Sequence, residues 1–245
     1  MRCALTNDVL EMVHGRQGLG LRLSTLLDTC YVWLDAHPSE AIIAQIKQDR
    51  AEQSSTISFG EAVVATINRA PQYWRTANTT PSLQDLRGKI QLFRRFTGPD
   101  LYAYGINVTR WEDNPVEPFT IRTFRGVQLT IQDHYNPTSP VSLPSLITMK
   151  TDNVIALLDR ASADQDATHW YINFTSVYEI NYPYLVTPRE AAIGGWFAFA
   201  WLPGINAKVY EYFKTHAEKK RYGIVVMDFP ESPMPDLIAT VRFLV

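Results

Sequence analysis

His37-Pro38-Ser39-Glu40-Ala41-Ile42-Ile43-Ala44-Gln45-Ile46-Lys47 carries the pattern on which the rest of the chain is organised. Before it, Leu23, Leu26, Leu27, Cys30, Tyr31 and Leu34 recur at helical spacing, with Ser24 and Thr25 near the start and Pro38 ending the run. Within it, Ala41–Ile46 is a short apolar run bounded by turn residues, which reads as a buried strand closed by a cation, Lys47. The same grammar repeats downstream. It predicts a helix near Phe59–Asn68, strands over Lys89–Phe93 and Val127–Ile131, a helix over Ser145–Arg160, a strand over Trp170–Phe174, a helix over Asn206–Thr215, a strand over Ile224–Met227 and a helix over Pro235–Val241. Alternating strands and helices imply a parallel sheet. The stretches between Gly98 and Phe119 and from Ser176 to Gly204 look like insertions on that frame.

Polar residues recur where the apolar strands end: Lys47, Arg94 and Arg95, Gln132 and Asp133, Asn173, and Asp228. In a (β/α) barrel the C-terminal strand ends build the active site, so this arrangement predicts a cationic pocket holding a few carboxylates. A chain must return to solvent after any strand, which explains one such residue. Five strands in succession favour the pocket.

Bulk properties narrow the class. At 245 residues the chain suits one domain of barrel size, about 250 residues being ordinary for that fold. A hydrophobic fraction of 46%, a charged fraction of 20% and a net charge of -2 give no field that would favour nucleic acid. Apolar runs such as Ala41–Ile46 and Ile224–Met227 are too short to cross a bilayer, and no basic segment followed by an apolar stretch stands at the N-terminus to read as a signal peptide. Cys3 and Cys30 say little about compartment, while sequons at Asn78 and Asn107 are a weak hint of secretion.

Read together, His14-Gly15, His37-Pro38-Ser39-Glu40-Ala41-Ile42-Ile43, Asp85-Leu86-Arg87-Gly88-Lys89-Ile90, Arg94-Arg95-Phe96, Ile131-Gln132-Asp133-His134-Tyr135, Tyr171-Ile172-Asn173-Phe174-Thr175-Ser176 and Gly223-Ile224-Val225-Val226-Met227-Asp228 resemble the bacterial-type phosphatidylinositol-specific phospholipase C X domain. They do so in order and spacing over nearly the whole chain. The resemblance implies a TIM-type (β/α) barrel of the PLC-like phosphodiesterase kind, a secreted enzyme, and metal-independent cleavage of phosphatidylinositol or a related inositol lipid. No cofactor is implied. A general-base histidine takes the proton of the inositol 2-hydroxyl, whose oxygen attacks phosphorus, and a second histidine protonates the departing diacylglycerol oxygen. Carried over by motif, His14 matches the general acid and Arg2 the arginine on the phosphoryl oxygens. Lys47, Arg95, Asp133 and Tyr135 match the inositol pocket, and Asp228 matches the carboxylate that orients the base. His37 reads as structural, His134, His169 and His216 as surface or packing residues without a carboxylate at ligand spacing, and Asn173 as a residue that orders its strand end.

One departure follows from the same comparison. The family's first strand carries the general-base histidine and an aspartate, and Met1 stands where the second strand would be ending. The expectation is a barrel incomplete at its N-terminus, lacking the first strand and most of the second, with activity impaired by the two to four or so orders of magnitude that loss of a general acid or base costs. A truncated active enzyme is the preferred explanation. A catalytically inactive inositol-phosphate or lipid-binding relative is the alternative, and a metal-dependent lipid phosphodiesterase on a similar barrel would need a cluster of acidic ligands. The glycine-bounded run Gly194–Gly204 holds Trp196, Phe197 and Trp201 and reads either as a rim that touches a membrane peripherally or as a buried core element.

Overall fold

A computed structural model describes residues 1–98, 104–216 and 220–230. The expected helix over Pro235–Val241 and part of the stretch after Gly98 lie outside the described residues. Two compact units are present. The first comprises Met1–Trp111 with Thr123–Val127, and the second the described residues of Glu112–Arg122 and Gln128–Val245.

The first unit opens with three strands, β1 (Arg2–Thr6), β2 (Val9–His14) and β3 (Gln17–Arg22), followed by α1 (Leu23–Ala36), β4 (Ala41–Gln48), α2 (Phe59–Ile67), the two-residue β5 (Trp74–Arg75), the single turn α3 (Leu83–Leu86), β6 (Lys89–Arg95) and the two-residue β7 (Ile106–Asn107). The sheet order is β3-β2-β1-β4-β6-β5, with β7 also on β6. β1, β4 and β6 run parallel, as the alternation of strands and helices predicts, whereas β1, β2 and β3 are joined antiparallel by tight turns. At the first of these turns Asn7 and Asp8 both adopt positive φ, 49° and 61°, the backbone that matches a two-residue hairpin. One face of the sheet is packed by helices. Cys3, Leu5, Leu10, Met12, Ala44, Ile46, Ile90 and Leu92 form a buried cluster with Leu23, Leu27 and Leu34 of α1 and with Phe59, Ala62, Val63 and Ile67 of α2. Each fully buried leucine removes enough apolar surface to contribute about 1.5–3 kcal/mol. α2 starts where Ser58 and Glu61 close a capping box, each satisfying the other's free backbone N–H.

The second unit contains β8 (Phe119–Arg122), β9 (Gln128–Gln132), α4 (Leu143–Ala163), β10 (Trp170–Phe174), α5 (Pro188–Ile193), the hairpin β11 (Gly194–Phe197) and β12 (Ala200–Pro203), α6 (Ile205–Thr215) and β13 (Ile224–Val226). Its main sheet runs β13-β10-β9-β8, parallel except for β8, which returns antiparallel along β9. α4, α5 and α6 pack together through Leu146, Ile147, Val154, Leu158, Ala191, Val209 and Phe213. The C-terminal ends of the three parallel strands are level, because Asn173 stands opposite both Gln132 and Val225.

Candidate active site

Register arranges the cations of the first unit. Arg2 pairs with Lys47 across β1 and β4, and Lys47 with Arg95 across β4 and β6, so the three occupy one row at the C-terminal ends of adjacent parallel strands β4 and β6 and the start of β1. Cys3, Ile46 and Leu92 face the helices, and side chains alternate along a strand. Arg2, Lys47 and Arg95 therefore project from the opposite face. Alternation also separates the two adjacent arginines. Arg94 turns to the helix side, where it is buried and donates from Nε to the Tyr104 carbonyl (3.0 Å) and from Nη1 to that of Phe96 (2.6 Å). Arg95 lies over the Trp111 ring, 5.2 Å from its centroid.

Asp49, which the sequence reading passed over, ties this row together. One carboxylate oxygen stands 3.2 Å from Lys47 Nζ and 3.9 Å from Arg2 Nε, and the other accepts from the Gly15 N–H at 2.9 Å. The turn bearing His14 is thus held to the same anion as Arg2 and Lys47. Gly15 takes a φ of 59°, which an L side chain rarely adopts. Burial pushes the Asp49 carboxyl up, but the Lys47 and Gly15 hydrogen bonds and the charges of Lys47 and Arg2 outweigh it, and its pKa is lowered. His14 itself is exposed at the end of β2. The spacing Lys47-x-Asp49 puts both side chains on one face of the strand end, and that was the available signal.

In the second unit, Asp133 and Tyr135 follow β9 and Asp228 follows β13. Asn114, at a φ of 50°, accepts through Oδ1 from the N–H groups of Tyr135 and Asn136, both at 2.9 Å. The Tyr135 hydroxyl donates to Asp113 (3.1 Å), and its ring stacks on Tyr178 with centroids 6.0 Å apart. Burial and the bonded Asp113 carboxylate push the Tyr135 hydroxyl up to about 12, which keeps it a proton donor at neutral pH. Burial likewise raises Asp228, and the Lys150 ammonium pulls it back. Lys150, on α4, is fully buried and was not singled out in the sequence.

The glycine-bounded aromatic run folds as a hairpin rather than as core. Trp196 and Trp201 are cross-strand partners, their rings edge-to-face at 6.2 Å. Trp196 is 71% exposed and Phe199, at the tip, 100%. Gly194, at a φ of 121°, has no room for a side chain, since a Cβ there would run into the Leu202 carbonyl.

The remaining histidines divide. His37 ends α1, stacked on Trp33 with Nδ1 2.8 Å from the Trp33 carbonyl, and His216 caps α6 in the same way on Tyr212. His134 is buried. His169 corrects the expectation: it has a carboxylate partner, Asp164, whose Oδ2 is 2.7 Å from its Nδ1, and its Nε2 is 2.9 Å from Thr130 Oγ1. The pair is five residues apart in sequence and joined through a loop, a spacing outside helical or strand periodicity. Asn173 is buried and orders strand ends, bonding Gln132 (2.9 Å) and the Val154 carbonyl (2.8 Å).

No protein-family model matches the chain. Individual relatives do. A 1-phosphatidylinositol phosphodiesterase of Staphylococcus aureus (strain Newman) is 29% identical over 183 residues, 71% of this chain and 55% of the relative. One from Listeria monocytogenes is 29% identical over 238 residues, 91% of this chain and 62% of the relative. A solved structure of the S. aureus phosphatidylinositol-specific phospholipase C superposes with a TM-score of 0.77 at 25% identity, covering 100% of this chain and 79% of that one. These relatives and the solved structure are bacterial phosphatidylinositol-specific phospholipases C, and they support that family for the chain. The fold is the barrel of those phospholipase C structures. The chain spans little more than half the length of the S. aureus relative. The L. monocytogenes phospholipase C structure, at 23% identity and a TM-score of 0.66, agrees on the fold.

Proposed function

We propose that the protein cleaves phosphatidylinositol, or a related inositol lipid, to diacylglycerol and an inositol cyclic phosphate by general acid-base catalysis. The observation that supports this most is the row Arg2, Lys47 and Arg95 with Asp49 holding the His14 turn beside it. Fixed cations in a row suit a phosphorylated polyol, and the Arg2 guanidinium suits charge growing on phosphoryl oxygens in the transition state. His14, on the turn tied through the Gly15 N–H to Asp49, gives its proton to the diacylglycerol oxygen as the P–O bond breaks. By the family resemblance, Lys47, Arg95 and Asp133 match residues that hydrogen-bond inositol hydroxyls, and Tyr135 matches a ring that covers one face of the sugar. Asp228 matches the carboxylate that orients the general-base histidine in the family. The cyclic product follows because the nucleophile belongs to the substrate.

Contact with the lipid surface is assigned to the hairpin of Trp196, Phe197, Phe199 and Trp201. Its rings are exposed, and such rings gain by burial in the headgroup region without spanning the bilayer. The solved S. aureus relative is one whose membrane binding has been modulated.

Kinetics on phosphatidylinositol vesicles with EDTA present test the assignment of roles. His14→Ala should lower turnover by about two to four orders of magnitude, and Arg2→Lys should also lower it, because a point charge lacks the planar fork. Turnover surviving His14→Ala refutes the acid. Binding of myo-inositol without any release of cyclic product replaces the enzyme with a lipid-binding relative.

A further inference from the structure

Lys150 lies on the buried face of α4, four residues from Leu146 and four from Val154, both fully buried. An ammonium among such neighbours is costly, since desolvating an ion outweighs most single interactions that could compensate. What compensates it is specific. Nζ donates to the Gln132 side-chain Oε1 at 2.8 Å and to the His134 backbone carbonyl at 2.7 Å, the residues immediately before and after Asp133. Gln132 Oε1 also accepts from the His134 N–H (3.1 Å), and its Nε2 donates to Asn173 Oδ1 and to the Phe174 carbonyl, both at 2.9 Å. One buried cation therefore fastens the end of β9 to α4, and through Gln132 to β10. Burial pulls Lys150 down to about 7, while the carboxylates of Asp133 and Asp228 push it back toward the charged form.

We propose that Lys150 is a positioning residue for the substrate pocket, clamping the backbone on both sides of Asp133 so that its carboxylate is held at a fixed place for the inositol hydroxyls. This rests on the phospholipase reading of Asp133. Lys150 touches no substrate. It acts through Gln132 and His134, and its contribution should vanish when the Asp133 carboxylate is removed. A purely structural lysine would instead weaken the fold by the same amount whatever stands at position 133.

The test is a cycle of variants: Lys150→Met, Asp133→Asn and the double variant, with myo-inositol binding followed by NMR chemical-shift titration and cyclic-product release measured in parallel. Lys150→Met is expected to weaken myo-inositol binding by about tenfold or more, the weight of a charge-assisted hydrogen bond. The double variant should bind no worse than Asp133→Asn alone. Gln132→Met, which opens one side of the clamp and leaves the ammonium on the His134 carbonyl, should weaken binding in the same direction; it decides the matter if Lys150→Met does not fold. Unchanged binding in these variants, or losses from Lys150→Met and Asp133→Asn that simply multiply, overturns the clamp and leaves the phospholipase reading standing. A wild-type protein that neither binds myo-inositol nor releases cyclic product overturns both.

Discussion

Asp49→Asn is the substitution by which the geometry of the cation row is most open to test. The side chain keeps its shape and an oxygen for the Gly15 N–H, but loses the negative charge 3.2 Å from Lys47 Nζ and 3.9 Å from Arg2 Nε. The Asp49 side chain is only 5% exposed whereas that of Arg2 is 42% exposed, so the Lys47 contact should carry most of the energy and the Arg2 contact less. Hydrogen bonds to charged groups contribute about 1.5–3 kcal/mol. Allowing for the bond that the amide retains, a loss of about 1–2 kcal/mol is expected. For a chain of this size each kcal/mol moves the thermal midpoint by about 2–4 °C. The pH dependence has a definite sign. Because the folded-state pKa of Asp49 is lowered, its contribution is present above the unfolded carboxylate value of about 3.9 and is lost as pH falls through the folded value. Scanning calorimetry of wild type and variant from pH 7 down into the acid range should show two curves that converge as Asp49 protonates. With the anion between Lys47 and Arg2 gone, kcat/KM should fall, by about tenfold for each 1.4 kcal/mol of cation placement lost in the transition state. Equal midpoints at pH 7 together with unchanged kcat/KM would remove Asp49 from the account.

Three other outcomes are expected. Asp164→Asn should lower the thermal midpoint, because it weakens contacts to both the His169 ring and the Tyr171 hydroxyl at 2.7 Å; the Asp164 pKa, held down to about 2 chiefly by the Asp166 N–H and the Tyr171 hydroxyl, dates the loss of that contribution to the fall from about pH 4 to pH 2, and a midpoint difference that persists undiminished below pH 2 contradicts it. Trp196→Ala with Trp201→Ala should weaken binding to phosphatidylinositol vesicles by about tenfold or more, since burying one large apolar side chain contributes about 1.5–3 kcal/mol; sedimentation of vesicles with unchanged bound protein refutes the hairpin's role. Gly194→Ala, which drives a methyl into the Leu202 carbonyl at a φ of 121°, should disorder the same hairpin and reproduce the double tryptophan variant in that assay, whereas Gly126→Ala, which meets nothing within 4 Å but also has positive φ, should affect stability without affecting vesicle binding.

The parts of the fold that could be read from the sequence are those where one property dominates over many residues. β4, β6, β9, β10 and β13 are short apolar runs ending in polar residues, and α1, α4 and α6 are long periodic ones. The antiparallel start was missed because β3, Gln-Gly-Leu-Gly-Leu-Arg, is exposed at every position and carries no alternation that a core would impose. The only local sign was Asn7-Asp8, a weaker turn signal than Asn-Gly. Of the proposed site, Lys47, Arg95, Asp133 and Asp228 are legible as strand-end residues, while the choice of Arg95 over Arg94 rests on the family pattern; strand alternation turns the two to opposite faces. Asp49 is signalled only by its two-residue spacing from Lys47, while its bond to the Gly15 N–H spans 34 residues; Lys150 acts through partners 18 and 16 residues away, and no periodicity reports a contact of that kind. The aromatic hairpin was undecided between core and rim because composition is the same for both, and only exposure separates them.

The most direct measurement is ³¹P NMR of phosphatidylinositol vesicles incubated with the protein in EDTA. Growth of a cyclic inositol phosphate resonance at the expense of the lipid, lost in His14→Ala, is the result the acid-base reading predicts. An unchanged lipid resonance, or a phosphorylated product that appears only when a divalent cation is restored, would contradict it.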